Sequence, residues 1–162
     1  MLKIIRVLKW ATGVYTVMTL LLWWLHPLVL FRPTQLPADY QYDFKIPFRE
    51  ITFETDENVK INALLFTPRP PKPGWEDPDG GKRTVLFFHG NRDNLTRWGR
   101  EYAERFTERG YNVLMYDYRG YGKSTGERSE EALRRDAQYL YDYLKNRIPE
   151  ELITVYGYSI GS

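Results

Sequence analysis

Cysteine is absent from all 162 residues, which excludes a disulfide framework, a thiolate metal site and a cysteine nucleophile together. It leaves the compartment open. Histidine is nearly absent too, with only His26 and His89 in the chain. Two distant imidazoles without a thiolate make no ligand cluster, so neither a metal nor any other cofactor is expected. An excess of charge of one sign is also missing. Lys+Arg number 23 against Asp+Glu 21, too even for a broad basic face that neutralises a nucleic-acid backbone, so nucleic acid is not an expected partner. No internal repeat or low-complexity tract is found. The length fits about one domain of about 100 to 200 residues.

What is present begins with a run free of formal charge. From Trp10 to Phe31, WATGVYTVMTLLLWWLHPLVLF carries no formally charged residue apart from a His26 cation. At the helical rise its residues cover about 33 Å, matching a bilayer core of about 30 Å. Lys3, Arg6 and Lys9 precede it and mark a cytoplasmic flank, although Arg32 and Lys45 follow. The expected topology is a single-pass membrane protein with its soluble part outside the cytoplasm and the lipid bilayer as partner. An uncleaved signal anchor is preferred to a signal peptide, because the run outlasts an ordinary h-region and ends in HPLVLFRPTQLP, without a small-x-small cleavage pattern. Pro27 lacks an amide hydrogen and should kink or end the helix near its outer end. Trp23, Trp24 and His26 then suit the membrane interface, a role that fits His26 better than catalysis.

Residues 1–31 are thus read as a membrane anchor, 32–48 as a proline-punctuated extended connection, and 49–162 as a partial catalytic-type domain. REITFET and VKINALLFTP have the composition of strands. PRPPKPGWEDPDGGKR, crowded with Pro, Gly and Asp, is an exposed loop in which Trp75 folds back or makes a surface contact. TVLFFHG, YNVLMYDYRG and LITVYG are continuous apolar runs, the form of strands buried on both faces of a parallel sheet. Between them, Leu95, Trp98, Tyr102 and Phe106 mark one face of a helix that Gly110 should end. Ser129, with Glu130 and Glu131 behind it, should cap a second helix whose stripe is Leu133, Ala137, Leu140, Tyr141 and Leu144. Strand–helix alternation of this kind is that of a parallel α/β sheet.

The chain closes its third apolar strand with Gly157-Tyr158-Ser159-Ile160-Gly161, a G-x-S-x-G pattern. A serine on a sharp strand-to-helix turn sits in a strained conformation, and neighbours without a Cβ let the chain fold tightly around it. Alone the pattern is weak, since a Gly-rich turn satisfies it by chance. Two further motifs stand after the two preceding strands: His89-Gly90-Asn91, and Asp117-Tyr118-Arg119-Gly120-Tyr121-Gly122-Lys123-Ser124.

FFHGN, DYRGYGKSTG and GYSIG, in this order, resemble the α/β-hydrolases of the serine-aminopeptidase-like and membrane-anchored type, over about Ile51 to Ser162. The resemblance implies an α/β fold: an incomplete α/β-hydrolase sheet of about five mostly parallel strands with two flanking helices, preceded by one transmembrane helix. It implies Ser159 as nucleophile, the amides of Asn91 and Ile160 as an oxyanion hole, and His89, Gly90, Gly157 and Gly161 as motif support. The chemistry implied is hydrolysis of an ester, thioester or peptide bond, leaving the acyl or peptide substrate and the oligomeric state open. His89 precedes the serine, whereas the fold's order is serine, acid, histidine, so a role in shaping the oxyanion loop is expected rather than general base. Asp117 is expected to be structural, with a buried or half-buried Arg119 fixing its loop. Lys123 and Ser124 are read as a solvated turn rather than a Ser-Lys pair.

The expected acid and final histidine would follow Ser162, and a serine hydroxyl is a poor nucleophile until a base takes its proton. The reading is therefore an inactive N-terminal fragment of a serine hydrolase, with LITVYG left as an unpaired edge prone to aggregation. The alternative is a non-catalytic, membrane-anchored interaction protein with a degenerate hydrolase fold that pairs this edge with another chain.

Overall fold

The computed structural model describes residues 2–68 and 83–162. Most of the loop expected at 68–83, including Trp75, and the side chain of His26 lie outside the described residues. The chain divides into two compact units, Met1–Phe31 and Arg32–Ser162.

The first unit is helix α1, Leu2–Leu30, whose stretch Lys3–Leu25 is long and apolar enough to cross a membrane. That stretch starts seven residues before the charge-free run, because the helix takes in the basic flank of Lys3, Arg6 and Lys9. Val7, Trp10, Val14, Val17, Leu21 and Trp24 are exposed around it. A helix apolar on all sides is one built for burial or for lipid. The hydroxyls of Thr16 and Thr19 donate to the carbonyls of Thr12 and Tyr15 at 2.9 Å, so neither is left unpaired in apolar surroundings. Pro27 lies in the last turn of α1, which ends at Leu30. So close to the C-terminus, a proline forfeits a single backbone hydrogen bond.

The second unit is built on strands β1 (Arg32–Pro33), β2 (Phe48–Asp56), β3 (Val59–Phe66), β4 (Thr84–Phe88), β5 (Arg92–Asp93), β6 (Asn112–Tyr116) and β7 (Ile153–Gly157). Five of them form one mixed sheet in the order β2-β3-β6-β4-β7. β2 and β3 meet antiparallel through the two-residue turn Glu57-Asn58, too short for a parallel crossover. β3 pairs antiparallel with β6. β6, β4 and β7 are parallel, with Leu114, Leu86 and Val155 in register. β7 lies at the edge of this sheet, and Val155 is 58% exposed.

Alternation along β4 sends Val85 and Phe87 to one face and Leu86 and Phe88 to the other. The first face is covered by a continuous helix made of α2 (Leu95–Trp98), a π turn (Gly99–Ala103) and α3 (Glu104–Thr107). Asn94 caps its start by accepting from the Thr96 N–H at 3.0 Å, and the left-handed Gly110 (φ 82°) ends it. The π turn falls at Gly99, where a Cβ would stand 2.8 Å from the Phe66 ring and 2.9 Å from the Phe44 ring. Helix α4, Glu130–Lys145, covers the second face. The Ser129 hydroxyl caps it by accepting from the Ala132 N–H. Its buried stripe is Ala132, Asp136, Leu140 and Leu144, with Leu133, Ala137 and Tyr141 half-buried beside it.

Residues 32–48, read as an extended connection, are a layer of the body. Tyr42 and Ile46 belong to the core cluster with Leu64, Phe87 and Trp98. Phe44 packs edge-on against Phe48 and Phe66 at 5.2 and 5.0 Å. Burying aromatic rings of this size stabilises by about 1.5 to 3 kcal/mol each.

Candidate active site

The carboxyl ends of β4, β6 and β7 are neighbours because these strands are parallel and adjacent, and each of the three motifs begins where one of them stops. After β7 the Tyr158 N–H donates to the Phe88 carbonyl at 3.0 Å, pinning the turn to the end of β4. Ser159 then adopts φ 58°, a left-handed conformation that costs an L-residue about 1 to 2 kcal/mol. It opens a 3-10 turn, Ser159–Gly161, closed by the Gly161 N–H donating to Tyr158 O at 3.1 Å. Both flanking glycines are sterically required. A Cβ on Gly157 would stand 2.2 Å from the Gly161 carbonyl oxygen, and one on Gly161 would stand 2.5 Å from the Phe88 carbonyl oxygen. Tyr158 packs toward Trp98 and Tyr102, at 5.1 and 5.9 Å between ring centroids, while Ser159 is exposed.

The loop after β4 abuts this turn: a Cβ on Gly90 would be 3.1 Å from the Tyr158 ring and 3.0 Å from Trp98. His89 is completely buried, stacked on Trp98 and against Tyr118, with centroids 5.9 and 4.1 Å away. Its Nδ1 is 2.7 Å from Gly90 O, and its Nε2 is 3.4 Å from Asp117 Oδ1, an ion-pair distance outside hydrogen-bond geometry. Tyr118 donates to the His89 carbonyl at 2.6 Å. The imidazole is therefore spent on holding its own loop. Among the described residues, neither the Asn91 N–H nor the Ile160 N–H has a hydrogen-bond acceptor. The Asn91 carbonyl, by contrast, accepts from the Arg32 N–H at 2.9 Å and from the Tyr121 hydroxyl at 2.8 Å.

The loop after β6 is a scaffold. Asp117 is fully buried, and burial raises its carboxyl above the ordinary range, with His89 and the Leu95 N–H pulling the other way. Arg119 is also buried and forms a two-pronged pair with Asp136 of α4, both bonds at 2.8 Å. Tyr121 is pushed up to about 12 by burial, opposed by the Arg32 N–H and Arg128, so its hydroxyl stays protonated at neutral pH. Lys123 and Ser124 do not form the solvated turn expected of them. Ser124 is buried, donates to Asp117 O at 2.7 Å and accepts from the Asn62 N–H at 2.8 Å, stitching the loop to β3. Lys123 pairs with Glu50 at 2.9 Å and lies over the Tyr42 ring.

Sequence reasoning missed three contributors to this region: the Asn94 cap, Asp136, and the Tyr121 hydroxyl. Asp136 hid in a helix whose acids are otherwise exposed, and Tyr121 looked like one loop tyrosine among many.

The model of the family described as serine aminopeptidase, S33, matches residues 80–162. The chain is 31% identical over 121 residues to protein bem46 of Schizosaccharomyces pombe, an alignment covering 74% of this chain and 38% of that protein. It is 36% identical over 81 residues to lysophosphatidylserine lipase ABHD12 of Danio rerio, covering 48% and 21%. The solved structure of the Pyrococcus furiosus esterase Pf2001 superposes with a TM-score of 0.57 at 26% identity, over 80% of this chain and 49% of that one. The chain thus spans between about a fifth and two fifths of the length of these two sequence relatives.

Proposed function

The chain belongs to the serine aminopeptidase S33 family of α/β-hydrolases, and on that premise we propose that it carries the nucleophile half of a membrane-associated serine hydrolase acting on an ester, thioester or peptide bond. Ser159 is the nucleophile, and the N–H groups of Ile160 and Asn91 receive the negative oxygen of the tetrahedral intermediate. Each such donor lowers the barrier by about 2.7 to 4 kcal/mol. The observation that carries the reading is the serine at φ 58° directly after a parallel strand, between two glycines that no side chain can replace. His89 and Asp117 are buried against one another and are not the base and acid. In this fold's order those two follow the serine. The acid and the base of this hydrolase are therefore residues C-terminal to Ser159.

The anchor α1 directs the choice of substrate. A helix that crosses the bilayer holds the site beside acylated lipids, and a lipid ester is the class named for the Danio rerio relative. With Lys3, Arg6 and Lys9 on the cytoplasmic side, the body lies outside the cytoplasm. A fluorophosphonate probe applied to membranes holding the whole protein should label it, and Ser159→Ala should abolish the label. Labelling that survives the substitution, or never occurs, ends this reading. The latter outcome would favour a non-catalytic interaction protein that pairs its exposed edge at β7 with another chain, a reading supported by the exposure of Val155.

A further inference from the structure

The segment that emerges from α1 runs between two loops of the site. Arg32 and Pro33 pair in parallel with Arg92 and Asp93, immediately after Asn91. The Asn94 side-chain amide donates to Thr34 O at 3.0 Å. On the other side the Gly122 N–H donates to Thr34 O at 3.0 Å, and the Leu36 N–H donates to Gly122 O at 2.8 Å. At the centre stands one hydroxyl. Tyr121 donates to the Asn91 carbonyl at 2.8 Å and accepts from the Arg32 N–H at 3.1 Å, while that same N–H reaches the Asn91 carbonyl at 2.9 Å. The Asn91 carbonyl thus has two donors, both from outside its own loop.

We infer that residues Arg32–Leu36 are a positioning strap that, through Arg32 N–H and the Tyr121 hydroxyl, sets the backbone of Asn91 and with it the direction of the Asn91 N–H. The inference rests on the reading of Asn91 as an oxyanion donor. The carbonyl and N–H of Asn91 share one Cα, so fixing the carbonyl with two hydrogen bonds restricts the dihedrals through which the N–H could swing. Preorganisation of this kind is what makes an oxyanion donor effective, because the donor needs no reorganisation when charge develops. A neighbouring loop could hold Asn91 without the N-terminal segment, yet here one of the two donors is the backbone of the strap itself. Phe31 alone separates Arg32 from the end of α1 at Leu30, about 7 Å of extended chain. The oxyanion loop is therefore tied, by a main-chain bond, to Arg32, two residues after the last residue of α1.

The test uses the whole protein purified in detergent, with p-nitrophenyl butyrate as the ester and amide hydrogen exchange at residues 90–93 as a readout independent of turnover. Tyr121→Phe removes one oxygen, and Arg32→Pro removes the N–H. Both should speed exchange at Arg92 and Asp93, the residues that pair with the strap, and lower kcat about tenfold, a fraction of the 10² to 10³ that losing a whole donor costs, with KM unchanged. Arg32→Ala keeps the N–H and should restore wild-type values. Wild-type kcat and wild-type exchange in Tyr121→Phe and Arg32→Pro would overturn the strap. Equal losses in Arg32→Ala and Arg32→Pro would overturn it too, since the side chain would then be responsible. If the unsubstituted protein neither hydrolyses the ester nor takes a fluorophosphonate label at Ser159, the hydrolase reading fails by itself. Exchange then decides the strap alone: faster exchange in Arg32→Pro supports it, and unchanged exchange overturns it.

Discussion

Replacing Asp136 by alanine leaves a guanidinium buried without its counter-charge. Arg119 is 5% exposed and Asp136 1%. Their two bonds are 2.8 Å each, and Thr55 Oγ1 donates a third to Asp136 at 2.7 Å. Removing one member of a buried pair costs about 3 to 5 kcal/mol, and the orphaned Thr55 hydroxyl adds about 1 kcal/mol. Asp56 lies 3.5 Å from Arg119 and is half exposed, so it takes over part of the charge and moves the total to the lower end of the range. The expected loss for Asp136→Ala is about 4 kcal/mol, which for a unit of this size lowers Tm by roughly 14 °C. The double variant Arg119→Met, Asp136→Leu should cost only about 1 kcal/mol, that of the orphaned Thr55 hydroxyl, because an apolar pair of similar volume removes the desolvation penalty together with the attraction. Urea unfolding with thermal melts, on the single variants and the double, measures both quantities and their coupling. A loss below about 1 kcal/mol for Asp136→Ala, or a double variant as unstable as the sum of the singles, would refute the argument that this pair ties the DYRG loop to α4.

Gly161→Ala places a Cβ within 2.5 Å of the Phe88 carbonyl oxygen, so the turn must open; fluorophosphonate labelling of the whole protein should fall more than about tenfold, and undiminished labelling would contradict the geometry. Burial raises the Asp117 carboxyl, so between its ordinary value and its raised one the folded state binds more protons than the unfolded state, and this group's contribution to stability falls as pH rises through that window. Wild type should therefore gain stability relative to Asp117→Asn on acidification through the window, as read by paired urea titrations; a constant difference would refute it. Alkaline carbonate washing should leave the protein with the membrane because of α1, and recovery in the soluble fraction would remove the anchor.

Much of the local structure was legible because it depends on residues adjacent in sequence. Unbroken apolar runs marked β4, β6 and β7, the Ser129 hydroxyl with two acids behind it marked the start of α4, and Gly110 marked the end of the helix before β6. The elbow glycines could be named in advance because the motif itself states a steric need. Pro27 stands three residues before the end of α1, where the rule against helical proline weakens because only one bond is at stake. The Lys123-Ser124 turn was misjudged because its burial depends on Asn62, which lies 62 residues away from Ser124.

The amino-acid sequence by itself determined the type of the main strands and helices, the strained turn at Ser159 and the apolar helix at the start, since propensity, periodicity and steric exclusion act between near neighbours. Only the tertiary structure decided that β6 lies between β3 and β4, that Asp136 is buried against Arg119, that His89 faces Asp117, and that residues 32–48 form a layer on the body. Each of these depends on which surfaces meet after long loops close. That choice is made by the summed burial and hydrogen bonding of distant segments, which no local pattern encodes.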